Sequence, residues 1–112
     1  MSDERTFADD IEVEAEGEAI EAIVIGNMGW DDYGADERHQ PGLARKGEVL
    51  SWAEARPLLD YEYDRSYGAP DCHSITAWTE SRVLWVTQYD GSTYLSSAVR
   101  NPTAHKPTMP GG

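Results

Sequence analysis

The chain has 112 residues and a formal net charge of −12, the size of one domain with a single modest core. Its one cysteine, Cys72, excludes an intrachain disulfide, so a reducing cytoplasm is the expected home. Residues 1–22 hold nine acids against Arg5, a balance of −8, and residues 23–112 hold twelve acids against eight bases, only −4. A chain without a basic face is not expected to grip nucleic-acid phosphates directly, nor an anionic membrane.

Residues 1–10 are polar and charged, with Phe7 the one anchor, and read as a mobile acidic tail with no signal-peptide pattern. In residues 11–15, Ile11, Val13 and Ala15 alternate with Glu12 and Glu14, which is strand periodicity. Gly17 then marks a turn, and residues 19–25 end in the β-branched run Ile23-Val24-Ile25, predicting a hairpin. A helix competes over residues 11–15, because Glu and Ala are good helix formers. Against it stand Gly17 and the like charges at Glu12/Glu16 and Glu14/Glu18.

Residues 26–47, with five glycines and Pro41, read as a long loop, and loops of that length inside compact domains are often functional. Ser51 and Glu54 have the spacing of a capping box, predicting a short helix from Trp52. Trp52, Ala55 and Leu59 share one face of it, and Pro57 should shorten it or turn it into 3₁₀ after Arg56. Residues 60–72 form a second loop, dense in tyrosine and carboxylate.

Residues 74–99 carry the plainest pattern in the chain, three short strands joined by two tight turns. Residues 82–89 contain four consecutive apolar residues, Val83-Leu84-Trp85-Val86, as a strand buried on both faces would. Asp90-Gly91 supplies the positive φ angles of a two-residue hairpin turn into residues 93–99. Thr79-Glu80-Ser81 reads as a type I turn in a slightly longer loop. Residues 101–112, rich in Pro and Gly, read as an unpacked C-terminal tail, leaving 11–100 as one domain.

The predicted fold is α+β, an antiparallel sheet of four to five strands with one short helix packed on one face. Its expected core comprises Ile23, Ile25, Leu50, Leu59, Ile75, Ala77, Val83, Trp85, Leu95 and Val99.

Four Trp, six Tyr and one Phe exceed what so small a core requires. Trp30, Tyr33, Tyr61, Tyr63 and Tyr67 fall in the two polar loops among Asp31, Asp32, Glu62 and Asp64. Tyr and Trp offer large contact area at low entropic cost, so these loops read as a partner-binding surface with a preference for cationic groups. The plainer alternative is that the rings fold back over the sheet and satisfy their polar tips at its rim.

Cys72, His73 and His39 supply zinc ligand types, but no C-x₂-C or H-x₃-H spacing joins them, and no metal or other cofactor is expected. The same residues could form a nucleophile–base pair, which makes a small hydrolase a third class of function. No nucleotide-binding or hydrolase motif accompanies them, and the reading leans away from an enzyme. A further alternative is a DNA mimic, in which Glu12, Glu14, Glu16, Glu18 and Glu21 along the first hairpin stand where phosphates would lie.

Three stretches, IVIGNMGWDDYGADERHQPG, SWAEARPLLDYEYDRSYGAPDCHSITAWT and VLWVTQYDGSTYLSSAVRNP, together resemble small uncharacterised acidic proteins carried by actinobacterial phages. The resemblance implies a phage accessory or host-interaction protein acting in the cytoplasm of a bacterial host cell, including one that blocks a defence nuclease. It assigns no functional residue. The leading expectation is a non-enzymatic module that binds another protein.

Overall fold

The computed structural model describes residues 5–29, 32, 34–65, 71–89 and 92–100, with Tyr89 described by its backbone alone. It is an α+β fold built on one open, antiparallel five-stranded sheet. The strands are β1 (Ala22–Met28), β2 (Val49–Leu50), β3 (His73–Trp78), β4 (Arg82–Tyr89) and β5 (Ser92–Val99), in the spatial order β2-β1-β3-β4-β5. Three helices are added: α1 (Phe7–Glu14), α2 (Gln40–Leu43) and α3 (Trp52–Leu59).

The meander β3–β4–β5 forms as its sequence predicts. Trp78 pairs with Val83 in the first turn, and Tyr89 pairs with Ser92 across the second. Asp90 and Gly91 themselves lie outside the described residues, as do residues 101–112. In the first turn the Arg82 N–H donates to Thr79 Oγ1 at 3.0 Å, while the Thr79 N–H donates to the Arg82 carbonyl at 3.0 Å.

The predicted hairpin of residues 11–15 with 19–25 is overturned in its first half. Residues 7–14 are helical, and Phe7, Ala8 and Ile11 are fully buried, so the expected mobile tail contains the first turn of α1. Thr6 caps the helix: its Oγ1 accepts from the Asp9 N–H at 3.2 Å, and Asp9 Oδ2 accepts from the Thr6 N–H at 3.1 Å. The glutamate repulsion that argued against a helix is removed in two ways. The helix stops at Glu14, and Glu16 (φ 53°) and Gly17 (φ 87°) take the left-handed exit, so neither Glu16 nor Glu18 lies on the helix. Glu12 is neutralised by Arg56 Nε at 3.1 Å and accepts from Trp52 Nε1 at 2.8 Å.

α3 forms with the predicted capping box, Ser51 Oγ accepting from the Glu54 N–H at 3.1 Å. It does not stop at Arg56 but runs through Pro57 to Leu59. Ala53 and Pro57 are both exposed, so the Ala53 carbonyl, which loses its donor to the proline, lies on the watered side.

α1 and α3 pack on the same face of the sheet, and this corrects the expected core. Ile23, Ile25, Leu50, Leu59, Ile75 and Ala77 are buried as predicted, joined by Leu84 of β4. β4 is not buried on both sides: Val83 is half-buried and Trp85 is 38% exposed, because nothing among the described residues covers the second face, while Val86, on the core side with Leu84, is half-buried against the cluster. Leu95 and Val99 are likewise half-buried. Phe7, Ile11, Met28 and Tyr61 take the missing share of the interior.

Candidate functional site

Of the seven residues expected to form a partner surface, Trp30, Asp31, Tyr33 and Tyr67 lie outside the described residues. The other three are structural. Asp32 accepts from the Met28 N–H at 2.7 Å and from Lys46 Nζ at 3.2 Å, and these donors, the Met28 N–H foremost, hold its carboxyl below the usual range. They pin the turn that follows β1.

Tyr61 is interior, 8% exposed, at the centre of a polar clasp. The His73 backbone N–H donates to Tyr61 Oη at 3.0 Å, and Tyr61 Oη lies 2.7 Å from His73 Nδ1. His73 Nε2 faces the His39 carbonyl at 3.0 Å. A carbonyl only accepts, so Nε2 carries the ring proton, Nδ1 is bare, and the Tyr61 hydroxyl donates to it. Burial holds the His73 ring neutral, its pKa pushed down to about 4. His39, also fully buried, receives the Asp36 N–H on Nδ1 at 3.0 Å and directs Nε2 to the Asp71 carbonyl at 3.3 Å. Both imidazoles thus have each ring nitrogen engaged. Arg38 closes the clasp from outside, donating to the Glu62 carbonyl at 2.6 Å and to Asp71 Oδ1 at 2.9 Å. Gly42 of α2 sits on the His73 ring so closely that a Cβ there would lie 2.7 Å from Nε2.

This clasp joins residues 36–42, residues 61–62 and the start of β3. The sequence reading took both stretches as polar loops whose rings either meet a partner or fold back over the sheet, and Tyr61 and Tyr63 fold back with their hydroxyls bonded. The overlooked signal is the alternation Leu59, Tyr61, Tyr63, which places every second side chain inward.

Tyr63 is half-buried and donates to Asp10 Oδ2 at 2.6 Å. Burial first, and then this bond to a carboxylate, push its hydroxyl pKa upward. Arg65 Nη1 donates to the same oxygen at 3.1 Å, and Arg5 Nε stands 2.9 Å from Oδ1 as an ion pair without the alignment of a hydrogen bond. Asp10 thereby closes the floor of a shallow cleft of about 660 Å³ between α1 and β5, walled by Val13, Tyr94 and Leu95.

The residues considered for hydrolysis do not assemble as a nucleophile and base. Cys72 is buried, and burial with the nearby Asp71 charge raises its thiol to about 12, the reverse of an activated thiolate. The histidines beside it have no ring nitrogen left to take its proton. Among the described residues, no three His, Cys, Asp or Glu side chains are grouped to hold a metal ion.

The carboxylates considered for DNA mimicry do not form a row. Glu12 and Glu14 lie on α1, and Glu16, Glu18 and Glu21 on the chain leading out of it. Glu14 accepts from Ser97 Oγ at 2.9 Å, Glu18 from Ser81, and Glu21 from Arg100 Nη1 at 2.8 Å. The strand that would have set them at regular spacing is a helix and a turn.

The second face of the sheet remains. Register places Val24 beside Val49 and Thr76, Thr76 beside Trp85, Trp78 beside Val83, and Trp85 beside Ser96 on that side. Ala22, Thr87, Tyr94 and Ala98 share it by alternation. None of these residues is Asp, Glu, Lys, Arg or His. Val49 is 75% exposed, Tyr94 42% and Trp85 38%. Sequence reading missed this face because it assigned the apolar run of β4 to a core on both sides. No protein-family model matches the chain, and neither a curated protein nor a solved structure shows significant similarity to it.

Proposed function

We propose that the chain is a non-enzymatic binding module that grips another protein through the uncovered face of its sheet, with Trp85 and Tyr94 as anchors. The observation that carries this reading is the absence of charge there. Charged residues make up 27% of the chain, yet the strand positions on this face have none. Depletion of charge around exposed aromatic residues is the composition of an interface centre, where buried Trp and Tyr supply most of the binding free energy. A sheet face exposed to water ordinarily alternates to polar and charged residues. The resemblance to phage proteins supports a partner inside a bacterial host.

The test is capture of the partner from host lysate by the wild-type chain and by a Trp85→Thr/Tyr94→Thr variant, with the bound fraction quantified. The expected outcome is retention by wild type in roughly 0.5 M salt, where exposed ion pairs are screened, and a drop of at least about tenfold for the variant. Equal retention by both proteins would overturn the reading.

A further inference from the structure

Among the described residues, β5 is the last strand on its side of the sheet. Its register with β4 runs unbroken from Arg82↔Val99 to Tyr89↔Ser92, so its backbone groups alternate strictly between β4 and the outside. The Thr93 N–H points outward, because it donates to the Arg65 carbonyl at 3.0 Å. The N–H and C=O groups of Leu95, Ser97 and Val99 therefore point outward too. No strand among the described residues lies beyond them. Exposed edges are usually blunted with Lys, Pro, a bulge or a short strand. β5 is eight residues long, reads STYLSSAV, and has none of these devices.

We propose that this edge pairs antiparallel with β5 of a second copy of the chain, across a two-fold axis at Ser97, making one continuous sheet of twice five strands. Arg65 closes the edge at Thr93, so the segment left unpaired among the described residues is Leu95–Ser97–Val99 and its midpoint is Ser97. Antiparallel pairing about that midpoint sets Leu95 opposite Val99 of the other copy and Ser97 opposite its equivalent. Every outward N–H and C=O of the three residues then gains a partner.

Side chains near the axis are small, Ser96, Ser97 and Ala98, and none is charged. In a chain of charge −12 many contacts between copies would oppose like charges, and the side chains of Leu95–Ser97–Val99 bring none. The nearest ionic groups, Glu14 and Arg82, both bond Ser97 Oγ and are opposite in sign, so each copy brings a compensated pair.

This inference goes beyond the reading of the open face and is independent of it, because an edge and a face are different surfaces. The experiment is sedimentation of the full chain over roughly 1–200 μM, with amide hydrogen exchange at both ends of that range. A concentration-dependent dimer is expected, with Leu95, Ser97 and Val99 amides protected only at high concentration and dimerisation tighter at high salt. Ser97→Pro removes an N–H that the chain's own ladder does not use and should weaken dimerisation by roughly tenfold or more, whereas Ser97→Ala, which loses the same Oγ bonds to Glu14 and Arg82 but keeps the N–H, should leave it unchanged. Trp85→Thr should leave the dimer unchanged while weakening partner capture. A monomer throughout, a dimer insensitive to Ser97→Pro with these amides unprotected, or protection appearing only on adding an unrelated extended peptide would overturn self-pairing.

Discussion

Burial lowers the His73 pKa from 6.5 in the unfolded chain to about 4, and the sign of the consequence follows from proton counting. Above the unfolded value neither state binds a proton at this ring, and its contribution to stability is fully present. As the pH falls from 6.5 toward 4 the unfolded chain takes up the proton and the folded chain does not, so stability falls. The loss attributable to this ring approaches roughly 3 kcal/mol, since each tenfold change in proton affinity is worth about 1.4 kcal/mol. Denaturant midpoints measured across that window should decline for wild type and decline less steeply for His73→Gln, the remaining slope belonging to carboxylates such as Asp32 that are held below their usual range. Tyr61→Phe tests the same clasp at neutral pH. It strips a donor from His73 Nδ1 and an acceptor from the His73 N–H, both buried, at an expected cost of about 1–3 kcal/mol in chemical unfolding. A Tyr61 that served only as a contact surface would leave the midpoint in place.

Among the elements, α1 departs furthest from its sequence reading, and the reason is two competing periodicities. Ile11, Val13 and Ala15 satisfy a two-residue repeat, while Phe7, Ile11 and Ala15 satisfy a helical one over a longer span. Burial settles it: Phe7, Ile11 and Ala15 are inside and Val13 is outside. Thr6-x-x-Asp9 is a capping-box spacing of the same kind as Ser51-x-x-Glu54, which did identify α3. Anchorage through Phe7 predicts that Phe7→Ala costs roughly 3–5 kcal/mol in chemical unfolding. Removal of residues 1–10 should be at least as severe, whereas a dispensable tail would leave the midpoint unmoved.

For the molecule as a whole, the governing fact is that its helices α1 and α3 cover one side of the sheet. Leu84 and Trp85 are neighbours in β4, yet one is fully buried and the other open to solvent. Leu84→Ala should therefore cost about 2–5 kcal/mol. Trp85→Thr keeps β-propensity and is expected to change stability by about 1 kcal/mol or less. Thermal and denaturant unfolding of the two variants compare the faces directly, and equal losses would mean that Trp85 is part of a core.

Local pattern was enough for the meander, for α3 and its cap, and for the absence of any described helix long and apolar enough to cross a membrane. Those features depend on contacts a few residues apart, where period, turn residues and caps act directly. Tertiary structure alone decided which face of β4 is covered, that Tyr61 closes a buried clasp with His39 and His73, and that Phe7 belongs to the core. Each of these is set by residues distant in the chain, such as Tyr63 meeting Asp10 or Arg56 meeting Glu12, and no local repeat encodes such a meeting. An apolar run states that side chains prefer to leave water; only the packing of the other elements determines which of them succeed.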